Sequence, residues 1–392
     1  MNSSTKLSVG IIGAGTAGLA SAIAFARLGH KVHLFEKHAG LATLGAGLLI
    51  QPQGIAAIEA LGAGAEFIAA SVPIDHLLGK SHRHWTLVDI PYRSRPAQGV
   101  SRSALANLLM NAAVALGVQI QFSANVSDVA SEGAKGIACV GGERLAFDLL
   151  VIADGAASTL PAQAGLAVAA TRYKWGALWG MFDVREWAGA RKLEQRYRTT
   201  RKMYGLMPTE RVGDSTRLSL FWSLPCDAYE AWKAAPLQPW KDELLDLWPE
   251  SAPVVNQISS HAQLTFATYY HAHPARLANP PICVVGDAAH AMSPQLGLGT
   301  TLAVQDALAL AELVDRHGAV QGPLLFSKKR LRVVRAYQLL SRALTPCFQA
   351  DGGGLWRDLL FAGGLYVPGV QQLMYRGVAE PVRPRRSGDA GI

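Results

Sequence analysis

The sequence predicts an α/β protein: a Rossmann-like domain interrupted by a mainly antiparallel β-sheet and followed by C-terminal helices. Three observations carry this. Near the N-terminus, an apolar strand over residues 7–12 runs into Gly13-Ala14-Gly15-Thr16-Ala17-Gly18 and an alanine-rich helix. Far downstream, Val284-Val285-Gly286-Asp287-Ala288-Ala289-His290 leads through Met292-Ser293-Pro294 to Gly297-Leu298-Gly299-Thr300-Thr301 and a second helix. Between the two, from about Tyr173, the texture changes to long strands that suit a separate antiparallel sheet.

The first helix is predicted over residues 16–28, with Gly29 as its C-cap. Residues 31–35 form the second strand, closed by Glu36. An acid therefore follows the first glycine by about 20 residues, the dinucleotide-binding spacing. Residues 54–61 and 103–116 read as helices, with extended pieces such as 85–90 between them. Residues 118–122 and 149–152 read as strands returning to the first sheet. The second sheet is predicted from strands at 175–184, 203–207, 217–224 and 262–269. Residues 228–248 read as helical and Trp-rich, with Pro236 and Pro239 as breakers. Residues 282–285 restore the parallel-strand pattern and 300–314 the helix, so the first domain is interrupted and then completed. The Pro-, Arg- and Gly-rich tail from Glu380 to Ile392 is expected to be disordered.

Composition narrows the function classes. The chain has 392 residues, 50% of them hydrophobic and 17% charged, enough for a large core and two domains. A net charge of +8 favours anionic cofactors or substrates. The densest basic run, Arg196-Tyr197-Arg198-Thr199-Thr200-Arg201-Lys202, is short and isolated, so it reads as a solvated strand or loop and not a nucleic-acid track. Cys139, Cys226, Cys283 and Cys347 form no C-x-x-C pair, which argues against a metal site and against a disulfide framework. The N-terminal apolar run is too short for a secretory leader. The most apolar helix, at 302–314, contains Gln305, Asp306 and Glu312 and is no membrane span. A cytoplasmic location is expected.

The chemistry lies in the two glycine motifs. Gly13 permits a tight turn, Gly15 lets backbone approach a pyrophosphate, and Gly18 lets the helix pack on the strand. The helix start offers free N–H groups and a positive dipole end to an anion. Glu36 can accept from adenosine ribose hydroxyls. One glycine motif alone does not separate NAD from FAD. The second does: Asp287 ends a strand where it can bond a ribitol-like chain, Pro294 stiffens the loop, and Gly297 and Gly299 let amides approach a flat ring. The helix from Thr300 points its positive end at that ring, which favours an anionic reduced flavin. Two motifs at opposite ends of the chain fit one long cofactor, FAD. The domain reading follows: an FAD-binding domain from residues 1–75, 97–172 and 271–345, a substrate-binding sheet domain from 76–96 and 173–270, a C-terminal helical segment at 346–380, and the tail at 381–392.

With these residues in place, the chain resembles the class A flavoprotein monooxygenases, the aromatic hydroxylases similar to para-hydroxybenzoate hydroxylase. The resemblance runs from about residue 7 to the helix ending near Val314. It rests on Gly13, Gly15, Gly18 and Glu36, on Gly45-Ala46-Gly47 with Gln51-Pro52, and on Ser101-Arg102-Ser103-Ala104-Leu105. It rests further on Asp154-Gly155 with Ser158, and on Gly286-Asp287, Pro294, Gly297, Gly299 and Asp306-Ala307. By resemblance Arg102 reaches toward the FAD phosphates and Val126 gives a main-chain contact to adenine. Ala17, Lys37, Gly47, Asp154, Leu298, Thr300 and Thr301 complete the expected cofactor-binding set. Three positions depart from the family pattern. Pro161 stands where the Asp-Gly motif ends in arginine, Leu298 where glutamine is usual, and Thr301 where asparagine is common. The first bears on pyridine-nucleotide use, and the other two on polarity beside the flavin.

The resemblance implies reduction of FAD by NADPH or NADH, addition of O2, and transfer of one oxygen from a flavin hydroperoxide to an electron-rich aromatic or heteroaromatic ring. Water must be kept out of the reacting site. The middle sheet is expected to form that pocket. Period two puts Leu218, Leu220, Trp222 and Leu224 on one apolar face, and Ser219, Phe221 and Ser223 on the other. Ser219 and Phe221 are therefore pocket candidates, with Met203, Gly205 and Trp179 as weaker ones, ordinary sheet packing being an equal alternative for each. His290 is read as a loop support. Tyr204 either touches a phenol or faces outward, and His82 and His84 are expected at the surface. No catalytic acid or base is assigned. The alternative readings are an FAD oxidase or dehydrogenase reduced by its own substrate, which Pro161 supports, a non-redox FAD protein, and a plain dinucleotide-binding module. A halogenase is disfavoured because no W-x-W-x-I segment is present. The expected partners are an aromatic small molecule and O2, with a homodimer left open. Residues 344–378 are expected to pack within the protein, with capping the pocket, packing on a second subunit and touching a membrane surface as the roles considered.

Overall fold

The computed structural model describes residues 6–41, 46–166, 168–294 and 297–364. Its first sheet has six strands in the order Ala278–Asn279, Ile282–Val284, Leu149–Ile152, Ser8–Ile12, Lys31–Phe35 and Gln119–Gln121. All pair in parallel except the first two. Apolar residues fill Ser8–Ile12 and Leu149–Ile152 because both sheet faces are covered. The helix Thr16–Arg27 covers one face and packs against the helix that begins at Gly299. Gly29, at φ 81°, supplies the left-handed turn after the first helix.

Elements without a strong sequence signal decorate this core. Val126–Glu132, Lys135–Val140 and Glu143–Phe147 form an antiparallel three-stranded sheet. The strands Gly47–Ile50, Ala97–Ser101 and Val72–Ile74 form another, which lies against the larger second sheet.

The second sheet has seven strands, in the order Thr265–Pro274, Val168–Val184, Ser215–Pro225, Lys202–Val212, Lys192–Arg198, His76–Ser81 and Thr86–Pro91. The four predicted strands are all longer than expected. Lys192–Arg198 and His76–Ser81 are additions, and they pair in parallel. One face packs on the helices Tyr229–Ala234 and Leu237–Leu247 through Leu218, Leu220, Trp222, Trp240, Leu244 and Trp248. The other faces the first domain. Of the two prolines expected to break the helical stretch, only Pro236 does. Pro239 lies in the first turn of Leu237–Leu247, where its missing N–H would have had no helical partner.

The predicted helix at 300–314 is the first of two segments within Gly299–Phe348: it begins at Gly299 and ends at Gly318 (φ 76°, ψ 175°), and a second helical segment follows. Pro323 falls near the start of the second segment and does not stop it. A last helix, Leu355–Gly364, buries Arg357 and Asp358 completely and leaves Trp356, Leu359 and Leu360 about half exposed. Arg357 donates to Asp358 and to the Cys347 carbonyl, and Arg83 donates to Asp358 at 3.0 Å. The charged pair, together with Phe361, which meets Phe348 edge to face, thus fastens this helix within the protein. The remainder of the segment expected at 346–380, and the tail, lie outside the described residues, as does Gly45. Among the described residues no helix is long and apolar enough to cross a membrane.

Candidate active site

At the first glycine motif the backbone leaves no room for side chains. Gly13 adopts φ 101°, and a Cβ there would come 2.6 Å from the Ala153 carbonyl oxygen. A Cβ on Gly18 would collide with the Gly13 carbonyl. A Cβ on Gly15 would meet nothing within 4 Å, so the space over the turn is open. Glu36 braces this turn: its carboxylate accepts from the Ala14 N–H at 2.8 Å and the His38 N–H at 3.0 Å. Each oxygen accepts one of these bonds, and a carboxylate oxygen has a second lone pair for a ribose hydroxyl. Lys37 is exposed next to it, and Val126 begins a strand with its side chain buried. Arg102 is the first residue of the helix Arg102–Ala115, which Ser101 caps by accepting from the Ala104 N–H at 3.1 Å. Its backbone N–H donates to the Ala46 carbonyl, so it is tied to the neighbouring Gly47 loop while its side chain is exposed.

The second motif folds onto the first. Gly286 adopts φ 61°, and any Cβ there would run into the Ala17 side chain. The exposed Asp287 lies beside Gly299 at the helix start, with Pro294 half-buried and Gly297 (φ 61°) open around it. Leu298 and Thr301 are buried, and Thr300 is half-buried. Among the described residues, Asp154 Oδ1 and Thr301 Oγ1 are buried polar atoms without a hydrogen-bond partner. Burial pushes the Asp154 carboxyl above its ordinary range, and the Ser158 hydrogen bond only partly offsets this. An open glycine turn, a second open glycine loop and an orphaned Asp154 oxygen beside Gly13 fit a long dinucleotide such as FAD.

His290 is fully buried and hydrogen-bonded to Asp306, which also accepts from Arg330 Nε at 2.6 Å. Burial opposes the Asp306 charge, but His290 and Arg330 outweigh it and hold the carboxyl below its ordinary value. This cluster braces the loop after Gly286, as a structural His290 requires. No sequence signal pointed to Arg330, which lies a long way along the helix from Asp306.

The inner face of the seven-stranded sheet carries Phe221, Met203 and Trp179 in one apolar cluster with Leu49, Leu344, Cys347 and Phe348. Trp179 and Phe221 meet edge to face at 4.9 Å. Gly205 is paired directly with Phe221. Ser219 has a different role, because its buried hydroxyl accepts from the Gly47 N–H at 2.8 Å and so ties the sheet to the cofactor domain. Tyr204 neither faces outward nor reaches this pocket. It is fully buried on the opposite face against Trp222 and Trp248, because it alternates with Met203 and Gly205 along the strand. His84 is exposed and His82 half-buried. The pocket also gains residues the sequence did not single out. Trp179 Nε1 donates to the Tyr269 hydroxyl at 3.2 Å, and Gln195 pairs with Gly205. Both required knowledge of strand register. Two surface clefts, of about 390 and 380 Å³, lie elsewhere: one around Ser103 and Arg217, the other behind the sheet among Trp175, Trp222 and Trp240.

A doubly anchored dinucleotide site facing an apolar sheet pocket defines a flavoprotein class. The chain belongs to the FAD binding domain family, whose model matches residues 6–335, and it is an FAD-dependent monooxygenase of the class A type. It is 27% identical over 314 residues to a probable 2-heptyl-3-hydroxy-4(1H)-quinolone synthase of Rhodococcus erythropolis, covering 78% of this chain and 79% of that one. It is also 27% identical over 353 residues to salicylate hydroxylase of Pseudomonas putida, covering 82% and 80%. Its fold is similar to that of 2-methyl-3-hydroxypyridine-5-carboxylic acid oxygenase, with a TM-score of 0.75 at 22% identity over 91% of this chain and 96% of that one. It is likewise similar to PqsL of Pseudomonas aeruginosa, with a TM-score of 0.78 at 21% identity over 92% and 99%.

Proposed function

We propose that this enzyme hydroxylates an aromatic or heteroaromatic small molecule, using NADPH or NADH as reductant and O2 as oxidant. The observation that carries this is the pairing of two surfaces. The converged motifs around Gly286 and Ala17 offer a cradle for FAD, and the sheet joined to that domain through Ser219 and Gly47 presents Phe221, Trp179 and Met203. Bound FAD supplies the electron transfer and oxygen activation. The protein's own part is to hold the ring flat between aromatic and thioether side chains and to exclude water, for which the cover of Leu344, Cys347 and Phe348 is placed. The quinolone and salicylate named for the relatives are both aromatic rings bearing oxygen, which supports the same substrate class here.

A second reading, an oxidase or dehydrogenase reduced by its substrate, is favoured by Pro161. This proline lies buried in the first turn of the short helix Leu160–Gln163 and supplies no charge for a nucleotide phosphate. Anaerobic mixing with NADPH and then NADH, followed at the flavin visible band with a panel of phenols and heteroaromatic acids, separates the two. Bleaching by a nucleotide, accelerated by a panel member, is the expected result. Bleaching by a panel compound alone would establish the oxidase, and no bleaching by either nucleotide would end the hydroxylase reading.

A further inference from the structure

Building on the monooxygenase reading, we propose that the sheet pocket selects a neutral, flat, bicyclic heteroaromatic ring. Two uncharged donors, the Tyr269 hydroxyl and the Gln195 amide, hold its acceptor atoms, and carboxylated rings are disfavoured.

The register builds the pocket. Gln195 pairs with Gly205, Gly205 with Phe221, and Phe221 with Trp179, so one row crosses four strands on a single face. At the usual strand spacing the row is roughly 14 Å long, enough for two fused rings between its ends. Gly205 leaves a slot in the middle, since a Cβ there would reach only ordinary contact with Gln195 Cγ, at 3.5 Å.

Both ends of the row carry a spare donor. The Tyr197 hydroxyl donates to Gln195 Oε1 at 2.6 Å, which uses the amide oxygen and fixes the amide plane. The amide nitrogen meets only Met203 Sδ at 3.8 Å, a weak acceptor. At the other end, the Tyr269 oxygen accepts from Trp179, and its own hydrogen has no acceptor among the described residues. Burial pushes the Tyr269 phenol up to about 12, so it remains a donor at neutral pH.

Three arginines bear on these donors, and two of them are engaged elsewhere. Arg357 lies 5.2 Å over the Tyr197 ring but is fully buried and held by Asp358 and the Cys347 carbonyl. Arg196 points to the opposite face, over Trp248. Arg102 acts on Tyr269 from the cofactor domain, and on the monooxygenase reading the FAD phosphates are its partner. A carboxylate in this pocket would thus be a desolvated charge without a partner cation.

The test is equilibrium binding to the FAD-loaded oxidised protein, read from the flavin visible band, with 4-hydroxyquinoline and 4-hydroxyquinoline-2-carboxylate. The uncharged ring should bind at least about 10-fold tighter, and Gln195→Leu and Tyr269→Phe should each weaken it about 3- to 10-fold without changing the carboxylate. Gly205→Val should block the bicyclic probe and spare phenol. Equal or tighter binding of the carboxylate, no binding of 4-hydroxyquinoline, or wild-type binding by both donor variants would overturn the proposal. The wild-type comparison decides even if a variant does not fold. Anaerobic reduction by NAD(P)H in the same preparation keeps the two readings apart. Bleaching with a carboxylate-preferring pocket sinks only the selectivity. Selective binding without bleaching sinks only the monooxygenase.

Discussion

The strand Ser215–Pro225 has two faces one residue apart, and they do opposite work. Leu218, Leu220 and Trp222 are sealed against helices and Trp248, with nothing but apolar contact. Ser219 and Phe221 turn toward the cofactor domain, where one makes a hydrogen bond and the other meets Trp179. Alternation alone separates the faces, but only the neighbouring layer decides which is core and which is site. The back face packs as core, and the front face meets the first domain.

The comparison breaks most visibly at the back. Leu220→Ala, at a fully buried position, should cost about 2–5 kcal/mol and lower the melting temperature, with ligand affinity in the folded protein unchanged. If affinity falls with it, the faces are not independent. Ser219→Ala strands the Gly47 N–H and should cost about 1–3 kcal/mol, with weaker FAD retention as the additional sign, measurable by ultrafiltration. Phe221→Leu should cost under about 1.5 kcal/mol yet slow ligand-stimulated flavin reduction several-fold in stopped flow, the reverse of the Leu220 pattern.

The smallest effect is electrostatic. The Asp154 carboxyl is raised in the fold by burial, so the folded apoprotein binds its proton more tightly than the unfolded chain. That group therefore lowers stability as pH rises through its folded value, and stability returns on acidification. Asp154→Asn should raise the apoprotein melting temperature slightly at pH 7 and flatten its rise toward acid pH. A lower melting temperature in the variant would show that the charge is satisfied in the fold.

Much of this was legible in the chain because local rules sufficed. Gly13, Gly18 and Gly286 occupy places where any side chain would strike backbone or Ala17, and period two separated Leu220 from Phe221. What escaped depended on distant partners. Tyr269 meets Trp179 through pairing of strands far apart in sequence, and Gln195 enters the pocket only through Gly205. Arg357 and Asp358 are buried while Leu359 and Leu360 face out, because Arg83 and the Cys347 carbonyl, both distant in sequence, are their partners. The helix expected at 300–314 does end at Gly318, but the second segment beyond it, which accommodates Pro323, had no local signal.

The contact between Gly286 and Ala17 also sets an order on the birth of the enzyme. The two halves of the cradle leave the ribosome with the whole middle sheet between them. At about 5–20 residues per second that is a delay of roughly 13–54 s. A nascent chain therefore carries an unfinished nucleotide turn through most of its synthesis. The middle sheet is made before the two halves of the cradle can meet.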